Sequence, residues 1–253
     1  MKFSNTFKVI FGFLAVLLVA VISSIYHIDF NKILNKVNNK LTNDSTVSEK
    51  IKVSLVNCID GDTAVFNENG SVYTYRFLGI NTPEVKDKIE EYGFEASNYT
   101  CQKLKSADNI YVRYENTSSH TDKYDRHLVW VYVDDNLLQE LLIKSGYAKV
   151  QYVYTKLTYL DNLYKYEQYA INNKVGVYRK YKEPKTSDDT YIVIFKDGNS
   201  KSEINVKSGS RVDIVNNPKK DGFIGWTIND KLFDLSKPIT NDIILEASFK
   251  DEQ

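Results

Sequence analysis

Residues 51–84 read IKVSLVNCIDGDTAVFNENGSVYTYRFLGINTPE, and the turns inside that run decide the fold class. Val53 and Leu55 open a strand pattern that Asp60-Gly61 interrupts; Ala64–Phe66 resumes it and Asn69-Gly70 turns it again. Asp-Gly and Asn-Gly between apolar stretches are hairpin signals, because these residues tolerate the left-handed backbone of tight turns. A third strand carries Val72, Tyr73, Tyr75, Phe77 and Ile80, and Pro83 ends it.

Outward from this run the pattern changes period. Residues from about Glu90 to Ala107 read as helix, and Ile110–Tyr114 and Leu128–Val133 as strands. Asp134-Asp135-Asn136 is expected to cap a helix that runs through Ile143 and stops at Gly146. Leu160, Leu163, Tyr164, Ala170 and Ile171 place a last helix from about Lys156 to Asn173. Short strands first and helices afterwards predict an α+β domain over 51–182, a small barrel buttressed by helices.

Glu183 to Thr190 is Pro-, Ser- and Asp-bearing and reads as a linker over 183–190. Beyond it, over 191–253, Tyr191, Val193 and Phe195 alternate with opposite-face residues, and Ile243, Leu245, Ala247 and Phe249 repeat the alternation. This predicts a separate small β-rich module with no cluster of catalytic residue types. Upstream, residues 29–50 form a polar spacer rich in Asn, Lys, Ser and Thr. Over 1–28, Lys2 and Lys8 precede an apolar run from Val9 to Tyr26, eighteen residues. As a helix that run is about 27 Å long, close to the hydrocarbon thickness of a bilayer. The flanking charge predicts a transmembrane signal anchor with the rest of the chain outside; Val21-Ile22-Ser23 leaves a cleaved signal peptide open.

Composition narrows the chemistry. The 253 residues carry 33 basic and 33 acidic side chains, so whole-chain charge gives no sign of a nucleic-acid partner. Only five arginines occur (Arg76, Arg113, Arg126, Arg179 and Arg211) in a chain that otherwise uses lysine, so each invites a question. Three scattered histidines argue against a His-built metal site. Cys58 and Cys101 are either one disulfide or two buried thiols.

Three polar stretches stand at strand ends: Asp60-Gly61-Asp62-Thr63, Arg76 through Glu84, and Thr121-Asp122-Lys123-Tyr124-Asp125-Arg126. Each alone reads as turn or solvated loop. Together they hold the groups that phosphodiester cleavage needs. Arginine forks grip two phosphate oxygens at once and neutralise the charge that builds there. A lone carboxylate such as Glu84 can orient water or take its proton. Asp62, the Asn81 side chain and the Thr82 carbonyl form an all-oxygen set suited to a hard cation such as Ca²⁺.

These stretches, with A-K-V-Q-Y-V-Y at Ala148, resemble in order and spacing the staphylococcal nuclease (thermonuclease) family from about Ile51 to Lys182. The resemblance implies an OB-type five-stranded barrel carrying three helices, and a calcium-dependent endonuclease acting on DNA and RNA. It implies phosphate and transition-state binding by Arg76 and Arg126, and water activation by Glu84. It assigns the metal to Asp62, Asn81 and Thr82, and nucleotide contacts to Lys123, Tyr124, Tyr152 and Tyr154. Tyr152 and Tyr154 also admit plain packing. Glu167, on the apolar face of the last helix, is expected to be a structural hydrogen-bond acceptor near Lys149 or its backbone.

Two departures matter. Asn81 replaces the family's usual Asp, which removes one negative charge and predicts weaker calcium binding. Asp125 stands where Gly is common and is expected to offset the Arg126 charge. Residues 51–182 hold 17 basic and 17 acidic side chains, unlike the basic type member of the family, so modest nucleic-acid affinity is expected. The tail, with Tyr-x-Val-x-Phe at Tyr191 and Gly-Phe-Ile-Gly-Trp at Gly222, resembles β-grasp-like B-repeats of internalin-type surface proteins. By that analogy it contacts wall or matrix components, while Trp226 and Phe223 read as core. The whole reads as a monomer. Two other readings stay open: a barrel that binds nucleic acid without cutting, and a surface adhesion protein acting through its tail.

Overall fold

The computed structural model describes residues 46–86, 88–182, 189–212, 216–220 and 222–250. The expected anchor and spacer fall almost wholly outside these, as does most of the linker; among the described residues no helix is long and apolar enough to cross a membrane. The described residues belong to one compact unit that begins at Thr46.

The barrel starts from the hairpins legible in the sequence. Strands β1 (Ile51–Cys58), β2 (Thr63–Glu68) and β3 (Ser71–Phe77) pair antiparallel in succession. After β4 (Ile80–Asn81) and helix α1 (Gly93–Ser106), β5 (Ile110–Tyr114) pairs with β1, and β6 (His127–Val133) pairs with β5. A parallel pairing of β3 with β6 closes the ring, so five strands form a barrel without open edges. Phe66, Tyr75, Phe77, Val112, Val129 and Trp130 fill it, each at most 1% exposed. Around it lie α1, α2 (Leu138–Lys144) and α3 (Leu160–Asn172).

Two boundaries differ from expectation for physical reasons. Asp134 is not a helix cap: its φ of 55° makes it the left-handed corner of a hairpin, and Asn136–Leu137 (β7) pairs back on β6 before α2 begins. Asp is among the few non-glycine residues that visit this region at small cost. Helix α3 begins at Leu160 rather than Lys156, because the preceding turn is held elsewhere. The buried Glu115 carboxylate accepts the Thr158 N–H at 2.9 Å and its hydroxyl at 2.8 Å, and the Trp130 indole N–H at 3.0 Å. Cys58 and Cys101 are joined as a disulfide, tying β1 to α1. Gly146 and Gly176 meet back to back: a Cβ on Gly176 would lie 2.0 Å from the Gly146 carbonyl oxygen. Only glycine fits there.

The tail forms a second sheet, ordered β10 (Ser200–Lys207), β9 (Thr190–Asp197), β13 (Ile243–Phe249), β11 (Phe223–Ile228) and β12 (Lys231–Leu232). The outer strands pair antiparallel, whereas β9 and β13 run parallel at the centre. Phe195, Phe223 and Trp226 pack edge to face in its core, as their apolar setting predicted.

This sheet is joined to the barrel through residues 150–156, just after β8 (Lys149–Val150). The Trp226 N–H donates to the Tyr154 carbonyl at 3.2 Å and the Leu235 N–H to the Val153 carbonyl at 2.8 Å. In the other direction, Tyr152 and Val153 N–H groups donate to the two oxygens of Asp234, at 2.8 and 3.0 Å. Arg211 reaches across to Glu167 at 2.8 Å and lies 3.8 Å over the Tyr164 ring. Glu167 is the structural acceptor expected of it, with the Val150 N–H and the Tyr178 hydroxyl as further donors at 2.8 and 2.7 Å.

Candidate functional site

The parallel closure of the barrel builds the site. It pairs Tyr75 with His127 and Arg76 with Leu128, so Arg76 at the end of β3 and Arg126 just before β6 emerge on one rim. The short β4–β8 ribbon pairs Ile80 with Val150 and Asn81 with Lys149. That ribbon sends Glu84 out of one strand and Tyr152 out of the other. Arg76, Glu84 and Arg126, fifty residues apart at the extremes, line one cleft of about 740 Å³. Lys123, Tyr124, Tyr152 and Tyr154 line the same cleft.

Arg76 is nearly buried and fixed by three contacts. Its Nε lies 3.1 Å from Asp62 Oδ1, Nη1 donates to the Phe77 carbonyl at 2.9 Å, and Nη2 to Asn81 Oδ1 at 3.0 Å. A guanidinium has five N–H groups, so these contacts leave two for a ligand. The Tyr152 ring lies 5.7 Å from the guanidinium carbon. Arg126 is more open, its side chain 32% exposed. Both its Nε, at 2.8 Å, and its Nη2, at 2.7 Å, reach Asp122 Oδ2, and Tyr124 lies 5.5 Å away.

Asp122 organises the loop around Arg126. Its Oδ1 accepts the Tyr124 and Arg126 backbone N–H groups at 2.9 and 3.1 Å. Burial pushes its carboxyl up, but the bonds from the Arg126 side chain and the two backbone groups outweigh this and hold it below the usual carboxylate range. Arg126 pairs with Asp122, not with the neighbouring Asp125. What Asp125 supplies is backbone: its φ is 57°. That is why glycine suits the position, a requirement visible only once the turn is known.

The candidate metal ligands sit behind Arg76 rather than on the cleft wall. Asp62 is 5% exposed; its Oδ2 accepts the Thr82 N–H at 2.7 Å and the Thr82 hydroxyl at 3.0 Å. Its Oδ1 accepts the Thr63 hydroxyl at 3.2 Å besides facing Arg76. Gly61 allows this approach, since a Cβ there would stand 2.6 Å from Thr82 Oγ1. Among the described residues no group of three or more His, Cys, Asp and Glu side chains is placed to hold a metal. The candidate oxygen set is instead one carboxylate, Asp62, with the Asn81 amide oxygen and the Thr82 backbone carbonyl. Burial and then the Asp62 charge push the neighbouring Asp60 carboxyl up. By donor chemistry the set fits a hard cation; Asn81 and Thr82 also line a neighbouring cavity of about 440 Å³.

Of the other arginines, Arg179 lines the neighbouring cavity with Asn81 and Thr82, and two lie elsewhere. Arg113 donates to the Ser48 carbonyl and the Tyr159 hydroxyl, at 2.6 and 2.9 Å, and Arg211 serves Glu167. Sequence reasoning missed Asp122 as the partner of Arg126 and missed Asp234, whose carboxylate reaches the tyrosine loop from the tail. An aspartate four residues before an arginine is a signal that spacing offered; nothing local marked Asp234.

Comparison with known proteins finds nuclease relatives over the barrel. Residues 74–180 match the family model described as staphylococcal nuclease homologue. The chain is 38% identical over 136 residues to the SPbeta prophage-derived endonuclease YokF of Bacillus subtilis, covering 52% of this chain and 45% of that protein. It is 36% identical over 134 residues to endonuclease YncB of the same organism, covering 51% of this chain and 63% of that one. To the thermonuclease of Staphylococcus hyicus it is 28% identical over 127 residues, covering 49% and 73%. The chain thus spans less than two thirds of the length of either of the first two relatives.

Proposed function

We propose that this protein is a calcium-dependent endonuclease that hydrolyses phosphodiester bonds of DNA and RNA outside the cell, tethered by its N-terminal segment. One observation carries the reading: closure of β3 on β6 sets two arginines and an exposed carboxylate, distant along the chain, around a single cleft. The relatives' names, endonuclease and thermonuclease, support it. The Cys58–Cys101 disulfide supports the oxidising side of the membrane.

The roles follow from the contacts. The scissile phosphate lies between Arg76 and Arg126, which offer it the N–H groups their carboxylate partners leave free. Asp122 and Asp62 hold those forks in place beforehand, so little reorientation is needed as charge builds on the equatorial oxygens. Glu84 orients the attacking water and takes its proton. Tyr124, Tyr152 and Tyr154 stack against base and sugar, with Lys123 beside the strand. Asp62, Asn81 and the Thr82 carbonyl would hold calcium, which when bound neutralises phosphate charge beside Arg76.

Full-length protein incubated with denatured DNA and millimolar calcium tests this directly. Cleavage is expected, lost on chelation and reduced at least ~10²-fold by Arg126→Ala. Intact DNA under these conditions sinks the reading. A barrel that binds without cutting is the second reading, favoured by Asn81, whose amide oxygen is already used by Arg76. It predicts DNA binding with no cleavage and no effect of Glu84→Gln.

A further inference from the structure

The cleft is not made by the barrel alone. Three residues of the tail sheet line it: Ile224 on β11, Leu232 on β12, and Lys250 just after β13. They enter it because the tail is fastened to the tyrosine loop by paired backbone bonds and by Asp234. Gly225 shows how close the fit is: a Cβ there would meet the Tyr154 carbonyl at 2.9 Å and Leu232 at 2.8 Å. Thr155, on the same wall, keeps a buried hydroxyl with no partner among the described residues.

Charge points to the occupant. Residues 51–182 are electrically neutral, yet the cleft lining holds Arg76, Lys123, Arg126 and Lys250 against only Glu84 and Asp122. Asp122 pairs with Arg126, and Arg76 pairs with Asp62 behind the cleft, which leaves Lys123 and Lys250 against Glu84 alone. The tail therefore adds one exposed cation and two aliphatic side chains, Leu232 being 44% exposed, to a surface that already carries phosphate-binding groups. A cation beside apolar contacts, continuing from arginines, suits one further nucleotide: aliphatic surface for a base, an ammonium for its phosphate.

We propose that the tail sheet supplies an extension subsite for single-stranded nucleic acid, in which Ile224, Leu232 and Lys250 take the nucleotide beyond the one held between Arg76 and Arg126. The proposal rests on the nuclease reading for the position of that first nucleotide. Neutrality of the barrel then ceases to limit affinity, because the pull on longer strands comes from the tail.

Binding of labelled oligothymidylates, two and ten nucleotides long, to full-length protein without calcium tests this. Lys250→Ala is expected to weaken the ten-nucleotide probe roughly fivefold, the size of one exposed ion pair. It should also reduce the salt slope of log K by about 1 and leave the two-nucleotide probe unchanged. Lys250→Arg should restore binding, and Leu232→Ser should weaken only the longer probe. Equal effects on both lengths, or none on either, overturn the subsite. If wild type binds the longer probe in this length-dependent way yet never cleaves with calcium, the nuclease reading fails while the subsite stands. If wild type binds neither probe, both fall.

Discussion

Removing the Asp234 carboxylate should loosen the tyrosine loop and cost about 2–4 kcal/mol of stability. Asp234 is 4% exposed and accepts four bonds: the Tyr152 and Val153 N–H groups, the Ser236 N–H at 3.1 Å and the Ser236 hydroxyl at 2.7 Å. Val153 is fully buried, so its N–H has no water to turn to and loses about 1–3 kcal/mol in the Asp234→Ala variant. Tyr152 is 44% exposed and recovers part of its bond from solvent. Its φ of 60° is a second liability. A tyrosine in the left-handed region stands about 1–2 kcal/mol above its preferred backbone, and the Asp234 bond helps to hold it there.

Equilibrium urea unfolding of the full chain measures the loss, and Asp234→Asn sharpens it. The amide has nearly the same shape and can keep the three bonds of Oδ1 while turning its NH₂ toward the half-exposed Tyr152 N–H, so Asn should cost less than Ala. Short-oligonucleotide affinity should fall with stability, since the Tyr152 ring leaves its place beside Arg76. If Asp234→Ala unfolds within about 0.5 kcal/mol of wild type, the usual surface-substitution scatter, Asp234 is not what fastens the loop.

Four further outcomes follow from the same structure. Asp125→Gly should raise stability slightly, by about 0.5 kcal/mol or less in thermal or urea unfolding, because glycine adopts its positive φ without strain but gives up more backbone freedom on folding. Gly176→Ala should destabilise by at least ~2 kcal/mol, since its Cβ has no room against Gly146. Cys58→Ser opens a loop with a sequence separation of 43 and should cost about 4 kcal/mol by the loop-entropy relation, with a matching loss in wild type under reductant. Asp122, whose carboxyl is held low in the fold, stabilises the protein above the ordinary carboxylate range and loses that contribution as pH falls through its folded value. Asp122→Asn should therefore be destabilised at neutral pH, with the gap to wild type closing below about pH 4 in urea titrations.

Much of the barrel was legible because its signals are local. Asp-Gly and Asn-Gly punctuate 51–84 at places where Gly61 must accept Thr82 and Asn69 turns left-handed, with a φ of 52°. Boundaries failed where a distant group outbids the local pattern: Glu115 holds Thr158 out of helix α3, though 43 residues separate them. The site residues were legible as types but not as partnerships. Spacing set Arg126 beside Asp125, whereas turn geometry hands it to Asp122. Alternation read the tail as a sheet and, having no view of contacts across about eighty residues, read it as separate.

That separation is the inference the structure changes most. Charge counted over a contiguous span treats the barrel as the binding unit and finds it neutral, but a nucleic-acid strand meets only the residues that line its path. Of the five arginines, Arg76 and Arg126 face the cleft, Arg179 lines the neighbouring cavity, and Arg113 and Arg211 brace polypeptide, Arg211 from within the tail. The tail thus adds Lys250 to the cleft on one side and fastens Glu167 on the other, one face toward substrate and one toward the frame. A few of the acids, Glu115, Glu167 and Asp234, are buried in structural bonds, while four cations and two carboxylates line the cleft. Neutral composition is no argument against a phosphate-binding surface when the lining of one cleft carries a local excess of cations.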